Sequence, residues 1–201
     1  GYTFQDLNND GIISRTNCPG QPAVTGAPAC EITRTSGLVY LGNPLPTREF
    51  SFSPRLAFRD WFEISAQFDY KGGYKQFNNT ARFRCNFGNC EAAYDQRAPL
   101  WEQARYLTQG FFQTDAGFVE DATFTKLREV SITLTAPRDL AQRFRAEGVR
   151  LTIAGRNLAT WTDYTGFDPE VNSQPLNLFS NSDFFTIPPL RTFSTRLTVQ
   201  F

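Results

Sequence analysis

Histidine and methionine are both absent from this chain of 201 residues. Without histidine, His-based catalytic triads and imidazole metal sites are excluded. Without an initiating methionine, and with no charged segment leading into an apolar one at its start, the chain is expected to be a piece of a longer protein. No apolar run approaches the roughly 18 residues of a membrane-spanning helix. The sequence thus excludes whole classes of enzyme and of helical membrane protein.

The charge balance gives no indication of a nucleic-acid partner, because 20 Lys and Arg match 20 Asp and Glu and the cations are scattered. The mean hydropathy of −0.40 is that of an ordinary soluble protein. Alternating strands of a membrane barrel average to the same value, so hydropathy does not decide between the two. Twenty phenylalanines are far more than a soluble core of this size needs.

The four cysteines fall in two local pairs, Cys18 with Cys30 and Cys85 with Cys90. An even number in loop-like sequence favours two disulfides and an oxidising compartment. Zinc sites or free thiols are the alternative interpretation. All-cysteine zinc sites usually carry C-x2-C spacings, which neither pair has.

Five segments alternate apolar and polar residues with a period of two, which predicts strands with one apolar and one polar face. They are residues 48–58, 61–71, 124–136, 148–157 and 191–201. Their length of about ten residues matches a tilted bilayer crossing of roughly 9–11 residues better than the usual soluble strand of about 5–6. Short connections at 59–60 and 137–147 alternate with long ones at 72–122 and 159–190. Short helices are expected at 97–109 and within 137–147.

These features predict an all-β fold, namely the C-terminal strands of a large antiparallel transmembrane β-barrel with long extracellular loops. Aromatic residues collect at the strand ends, as they do at the two membrane interfaces. The last strand carries a predicted outer-membrane assembly signal, formed by Phe193, Leu197, Val199 and Phe201.

An acidic element near the start, D-x-N-x-D-G, is a candidate calcium loop. Its ligands would be the side chains of Asp6, Asn8 and Asp10 and the carbonyl of Ile12. The twelfth position is Asn17, so the bidentate glutamate of an EF-hand is missing. An ion-free turn held by hydrogen bonds is the equal alternative.

Several ordered motifs resemble the SusC/RagA family of TonB-linked outer-membrane transporters. They are DLNNDGII at 6–13, LGNPLP at 41–46, VEDATFTKLR at 119–128, GRNL at 155–158, WTDYTGFDPEV at 161–171 and PLRTF at 189–193. The Cys18–Cys30 insertion and the Cys85–Cys90 loop depart from the family pattern and are expected to be extracellular decorations.

The resemblance implies a bacterial outer-membrane barrel of about 22 strands. Residues 1–47 would form an extracellular loop, and residues 48–201 the C-terminal barrel strands with their loops. The implied activity is TonB-dependent import of a bulky nutrient of the oligosaccharide or peptide class. The implied partners are a SusD-like surface lipoprotein lid, the TonB complex acting through a missing N-terminal part, the remaining barrel and plug, and outer-membrane lipid.

Candidate lumen or substrate residues lie on the polar faces and in one loop. They are Glu63, Gln67, Asp69, Arg150, Arg156, Asp168, Glu170 and Arg196. For the residues on the polar faces the alternative is a solvated wall or pairing with the plug, and for Asp168 and Glu170 it is a structural turn. No enzymatic activity is expected, since the close carboxylates Glu120/Asp121 and Asp168/Glu170 have no supporting constellation. Two other functions stay open: a surface anchoring or assembly component, and a secreted calcium-dependent glycan-binding β-sandwich.

Overall fold

The computed structural model describes residues 1–111, 113–174 and 181–201. Residue 112 and residues 175–180, which belong to the two predicted long connections, lie outside the described residues. The described part divides into two compact units: unit 1 holds 1–45, 74–121 and 164–186, and unit 2 holds 46–73, 122–163 and 187–201.

Unit 2 is one antiparallel sheet built from six strands. They are β3 (Arg48–Phe52), β4 (Arg55–Phe58), β5 (Phe62–Gly72), β8 (Phe124–Thr135), β9 (Gly148–Thr162) and β11 (Thr192–Gln200). The strand order is β11-β9-β8-β5-β3, with β4 also paired to β5. Strands that follow one another in sequence are therefore neighbours in the sheet, as in an up-and-down barrel wall. The predicted antiparallel all-β fold is confirmed, and in this segment the sheet is open at β3 and β11.

The strand predicted at 48–58 is interrupted at Pro54, which has no N–H to donate to the ladder. Its register continues across the interruption, since Phe52 pairs with Phe68 and Arg55 with Ser65. The Pro54 carbonyl still accepts a hydrogen bond of 3.0 Å from the backbone N–H of Ala66. The two short strands thus act as one.

The predicted end of the fourth strand at residue 157 is wrong, because β9 continues to Thr162. Asn157 has a positive φ of 54° beside an irregularity in the β8–β9 register. Such a bulge interrupts the alternating pattern without ending the strand. A related irregularity at Arg128 places Leu127 and Val130 on one face, although they are three residues apart.

The described part of unit 1 contains five short strands, two α-helices and two short 3-10 helices (Glu91–Ala93 and Ala116–Phe118). The strands and α-helices are β1 (Tyr2–Phe4), β2 (Ile32–Arg34), β6 (Lys75–Asn78), α1 (Asn79–Asn86), α2 (Leu100–Phe111), β7 (Val119–Asp121) and β10 (Ser182–Asp183). Strands β1 and β2 form a two-stranded antiparallel sheet, and β10, β6 and β7 form a second small sheet. The sequence patterns missed α1, whose N-cap Asn78 accepts a hydrogen bond from the N–H of Ala81 at 2.9 Å.

The core of unit 1 forms where α2 packs against the two-stranded sheet of β1 and β2. Ile13, Ile32 and Ala104 are buried, and Tyr2, Leu100 and Leu107 pack against them. The helix predicted at 97–109 is confirmed as Leu100–Phe111, and Leu100, Ala104 and Leu107 lie on the side that packs into the core. A third helix, α3 (Arg138–Arg143), forms in the predicted position within unit 2. Among the described residues, no helix has the length and apolar character that a membrane crossing requires.

Candidate functional site

The polar face of the unit 2 sheet carries most of the predicted lumen residues, and three of them form cross-strand ion pairs. Glu63 pairs with Arg55 at 2.5 Å, Asp69 with Arg128 at 2.7 Å, and Arg156 with Glu129 at 2.6 Å. Opposite charges on neighbouring strands stabilise the sheet by about 0.2–1 kcal/mol a pair. These three side chains therefore have a structural role in the wall.

The same face has a polar groove of about 400 Å³ at the end of the sheet with the short connections. Its lining includes Arg55, Arg59, Glu63 and Arg150. Arg196 lies on the same face, since it pairs with Thr152 in the β9–β11 ladder. The lining also includes Asp60, so three arginines face two carboxylates and the groove favours a strongly polar solute over an apolar one.

The opposite face of the sheet is apolar and exposed. The register places Phe52 beside Phe68, Leu56 beside Ile64, and Leu197 beside Leu151. Its exposed side chains include Phe50, Phe52, Leu56, Phe58, Ile153, Trp161, Phe193 and Leu197. Monomeric soluble proteins rarely expose a continuous apolar surface of this extent.

Unit 1 is organised around the Glu120 carboxylate of the VEDATF motif. It accepts hydrogen bonds from the Asn78 amide at 3.1 Å, from the backbone N–H of Thr165 at 2.9 Å and from the Thr165 hydroxyl at 2.8 Å. It also forms an ion pair of 3.1 Å with Arg105, whose residue is only 6% exposed. The VEDATF and WTDYTG motifs therefore meet at one partly buried carboxylate.

Arg105 was not recognised from the sequence. It directly follows Ala104, and both residues are buried. Its guanidinium lies 4.5 Å from the centre of the Trp101 ring and 5.1 Å from that of Phe118, and it also pairs with Glu102 at 3.1 Å. Its neighbours one turn away on α2 include the polar residues Glu102, Thr108 and Gln109, so no apolar pattern in the sequence marked its burial. A buried arginine between two rings and two carboxylates is held rigidly.

The loop that carries Asp168 and Glu170 is a hydrogen-bonded turn. Asp168 is buried and accepts a hydrogen bond of 2.8 Å from the backbone N–H of Glu170. The Tyr74 hydroxyl donates to the carbonyl of Pro169 at 2.9 Å. The structure thus places Asp168 inside the loop rather than on a surface that a solute reaches.

Tyr164 and Asp183 form a buried pair in the same unit, with the Tyr164 hydroxyl 2.5 Å from the Asp183 carboxylate. Burial raises the pKa of the Tyr164 phenol well above its ordinary value, and the negative charge of Asp183 raises it further. The backbone N–H of Thr80 donates to the other oxygen of Asp183 at 3.1 Å. Tyr164 therefore remains a neutral hydrogen-bond donor.

The acidic element forms a compact turn. Asp6 accepts from the backbone N–H of Gly11 at 2.9 Å, and Asp10 accepts from that of Ile12 at 2.8 Å. The Asn8 amide also donates to Asp10 at 2.8 Å. Calcium takes six to eight oxygen ligands, so this set fits calcium in donor type but needs water to complete it. No group of three or more Asp, Glu, Cys or His suited to a metal occurs in the described ranges.

Both cysteine pairs form disulfides in the structure. Cys18 joins Cys30 with their Cα atoms 4.5 Å apart, and Cys85 joins Cys90 with theirs 4.8 Å apart. Each closes a short loop of unit 1.

Two curated relatives are both TonB-dependent receptors from Formosa agariphila. Receptor P3 is 33% identical over 89 residues, covering 42% of this chain and 9% of the relative. Receptor P26 is 24% identical over 215 aligned positions, covering 100% of this chain and 20% of the relative. The chain therefore spans about a tenth to a fifth of the relatives that it matches. No family model matches the chain.

Solved structures of the RagAB peptide importer have the same fold as this chain. The closed-closed state matches with a TM-score of 0.59 at 22% identity, over 100% of this chain and 23% of the other. The open-open state matches with a TM-score of 0.58 at 22% identity, over 100% and 22%. The chain is thus similar in sequence to TonB-dependent receptors, and over its whole length it shares its fold with part of the RagAB peptide importer.

Proposed function

We propose that this chain forms part of the wall and outer loops of an outer-membrane transporter that imports a bulky nutrient in a TonB-dependent manner. The observation that carries the proposal is the two-faced sheet of unit 2. One face is apolar and exposed, and the other has cross-strand ion pairs such as Asp69–Arg128. Lipid outside and an aqueous lumen inside would satisfy both faces at once.

The dimensions of the strands support a bilayer crossing. Strands β5, β8 and β9 have 11, 12 and 15 residues, and a tilted membrane strand needs about 9–11. The connections between β4 and β5 and between β8 and β9 are short, whereas those between β5 and β8 and between β9 and β11 are long. This alternation is typical of barrels with periplasmic turns and extracellular loops.

We propose further that the solute is an oligosaccharide or a peptide and that a SusD-like lipoprotein covers the extracellular side. The peptide alternative is supported by the RagAB structures, which are described as those of a peptide importer. The polar groove, in which Arg55, Arg59 and Arg150 outnumber the two carboxylates Asp60 and Glu63, supports a strongly polar solute that carries anionic groups. The plug, the remaining strands and the N-terminal part through which the TonB complex acts would be contributed by the rest of the protein.

The test is solute uptake by cells that carry the complete protein. Wild-type cells are expected to accumulate a labelled peptide or oligosaccharide mixture, and deletion of the gene or of TonB should abolish that uptake. Arg150→Ala is expected to reduce uptake of anionic solutes about fivefold, by removing one charge from the groove. Thr198→Ala serves as the control, because it lies outside that groove.

The same experiment separates two competing functions. Unchanged uptake after deletion, together with loss of surface complexes, would favour an anchoring or assembly component. A secreted β-sandwich requires a second sheet facing the first, and unit 2 contains a single sheet. A protein that stays monodisperse in plain buffer would nevertheless overturn the membrane proposal.

A further inference from the structure

An apolar groove of about 510 Å³ lies where the apolar face of the unit 2 sheet meets α3. Its lining includes Trp61, Leu134, Pro137, Leu140, Val149 and Leu151. Leu134 and Leu151 are paired across β8 and β9. The groove is therefore continuous with the surface proposed to face lipid, and it lies at the end with the short connections.

Two apolar side chains, one in helix α3 and one directly after it, are exposed. Leu140 and Phe144 are one helical turn apart and are 45% and 67% exposed, whereas Ala141 is fully buried. A solvent-facing helix in a soluble protein has a polar outer face. An exposed apolar ridge on a short helix is instead typical of an element that lies in a membrane interface.

Three arginines accompany this ridge: Arg138, Arg143 and Arg145, all exposed. None of them forms an ion pair within the described residues. The segment also carries Asp139 and Glu147, of which Asp139 occupies the first turn of α3, where the helix dipole favours a negative charge. Arg143 and Arg145 thus remain available to an external anion.

Arg145 occupies a backbone position that favours glycine. Its φ is 55°, and the N–H of Ala146 donates to the carbonyl of Ala141 at 3.1 Å, as in a helix that ends through a left-handed residue. A long side chain at positive φ costs free energy that glycine avoids. Arg59, Gln113 and other non-glycine residues of the chain also have positive φ, so this strain supports the site only together with the exposed ridge and the unpaired arginines.

We propose that this groove binds one anionic phospholipid of the membrane leaflet at the short-connection end. An acyl chain would occupy the apolar groove, and Arg143 and Arg145 would bind the phosphate and the anionic headgroup. The inference rests on the proposed membrane function, because the groove opens onto the surface assigned to lipid. Apolar lining beside unpaired cations complements a phospholipid more closely than it complements a peptide or a sugar.

The test uses the complete outer-membrane protein, delipidated in detergent and titrated with phosphatidylglycerol, while bound lipids are counted by native mass spectrometry. Phosphatidylcholine of the same chain length provides the zwitterionic comparison. We expect one phosphatidylglycerol to bind several-fold more tightly than phosphatidylcholine. Equal affinity for the two lipids, or tighter binding of lipopolysaccharide, would overturn the proposal.

Arg145→Gly is the decisive variant, because glycine relieves the backbone strain and the fold is expected to be kept or stabilised. It should weaken phosphatidylglycerol binding about fivefold, and adding Arg143→Ala should weaken it about fivefold more. Arg145→Lys should retain most of the affinity, and Arg196→Ala, on the polar face, should change nothing.

Unaltered binding in Arg145→Gly/Arg143→Ala would refute the site. Membrane insertion of each variant, measured by flotation with vesicles, distinguishes loss of this site from failure of the barrel itself.

Discussion

The Glu120 carboxylate binds Thr165 twice, through the backbone N–H at 2.9 Å and through the hydroxyl at 2.8 Å. These residues belong to two motifs that are 45 positions apart. Because Arg105 pairs with the same carboxylate in a buried setting, the contact joins both loops to α2. Two of the motifs that carry the family resemblance thus also join the loops of unit 1.

Replacing Glu120 should loosen unit 1 more than replacing any exposed carboxylate. In Glu120→Ala the Arg105 charge stays buried and keeps only Glu102, and the Thr165 N–H loses its acceptor. Breaking a buried ion pair costs about 3–5 kcal/mol. Amide hydrogen exchange at residues 100–111 and 164–171 should therefore accelerate by two orders of magnitude or more.

Glu102→Ala is the matched control, because it removes the other partner of Arg105 and leaves Glu120 in place. Its effect should be no more than about 1 kcal/mol, as for a partly exposed ion pair. Equal effects of the two substitutions would show that Glu120 has no special role.

The face assignment predicts opposite outcomes for two adjacent residues of β9. Ile153→Arg places a charge in the middle of the surface proposed to face lipid and should cost about 2–4 kcal/mol. Thr152→Glu places a charge on the polar face, directly opposite Arg196 in the β9–β11 ladder, and should be tolerated. Heat-modifiable migration of the complete barrel on gels measures the difference. Tolerance of Ile153→Arg would contradict the assignment.

Unit 1 should become less stable at high pH because of Tyr164. Burial, and then Asp183, raise the pKa of its phenol in the folded state. The stabilisation by the neutral hydroxyl is therefore complete below the unfolded pKa of about 10 and is lost as the pH rises above it. Proteolysis of residues 164–174 between pH 9 and pH 11.5 should accelerate in the wild type.

Tyr164→Phe should be less stable at pH 7 by about 1 kcal/mol, through the lost hydrogen bond, and should show a weaker pH dependence. Tyr94→Phe is the control, since Tyr94 is largely exposed. An identical pH dependence in wild type and Tyr164→Phe would remove Tyr164 as the cause.

The calcium loop at Asp6, Asn8, Asp10 and Ile12 stays a prediction. If the ion binds, calcium titration by calorimetry should give one site, of the order of 0.1–1 mM because only two carboxylates contribute. Asp10→Asn should weaken the site by roughly tenfold, whereas Asp163→Asn should not affect it. No heat of binding at 10 mM calcium would favour the ion-free turn.

The sequence by itself determined the sheet of unit 2. Alternation with period two is a local property, so Phe62–Gly72 could be predicted almost to the residue, and the faces followed from it. The family resemblance also came from the printed motifs alone. The patterns failed where a single residue changed the geometry, at Pro54 and at the bulge beside Asn157.

Only the tertiary structure decided the contacts of unit 1. Glu120, Thr165, Asn78 and Arg105 lie far apart in sequence and meet through long-range hydrogen bonds that no periodic pattern encodes. The tertiary structure also decided which lumen candidates are paired within the sheet. The register of β5 and β8 brings Asp69 to Arg128, and the sequence does not specify that register. Local propensity acts over a few residues. A buried charge is instead paired by groups that are distant in sequence and that only the folded chain brings near it.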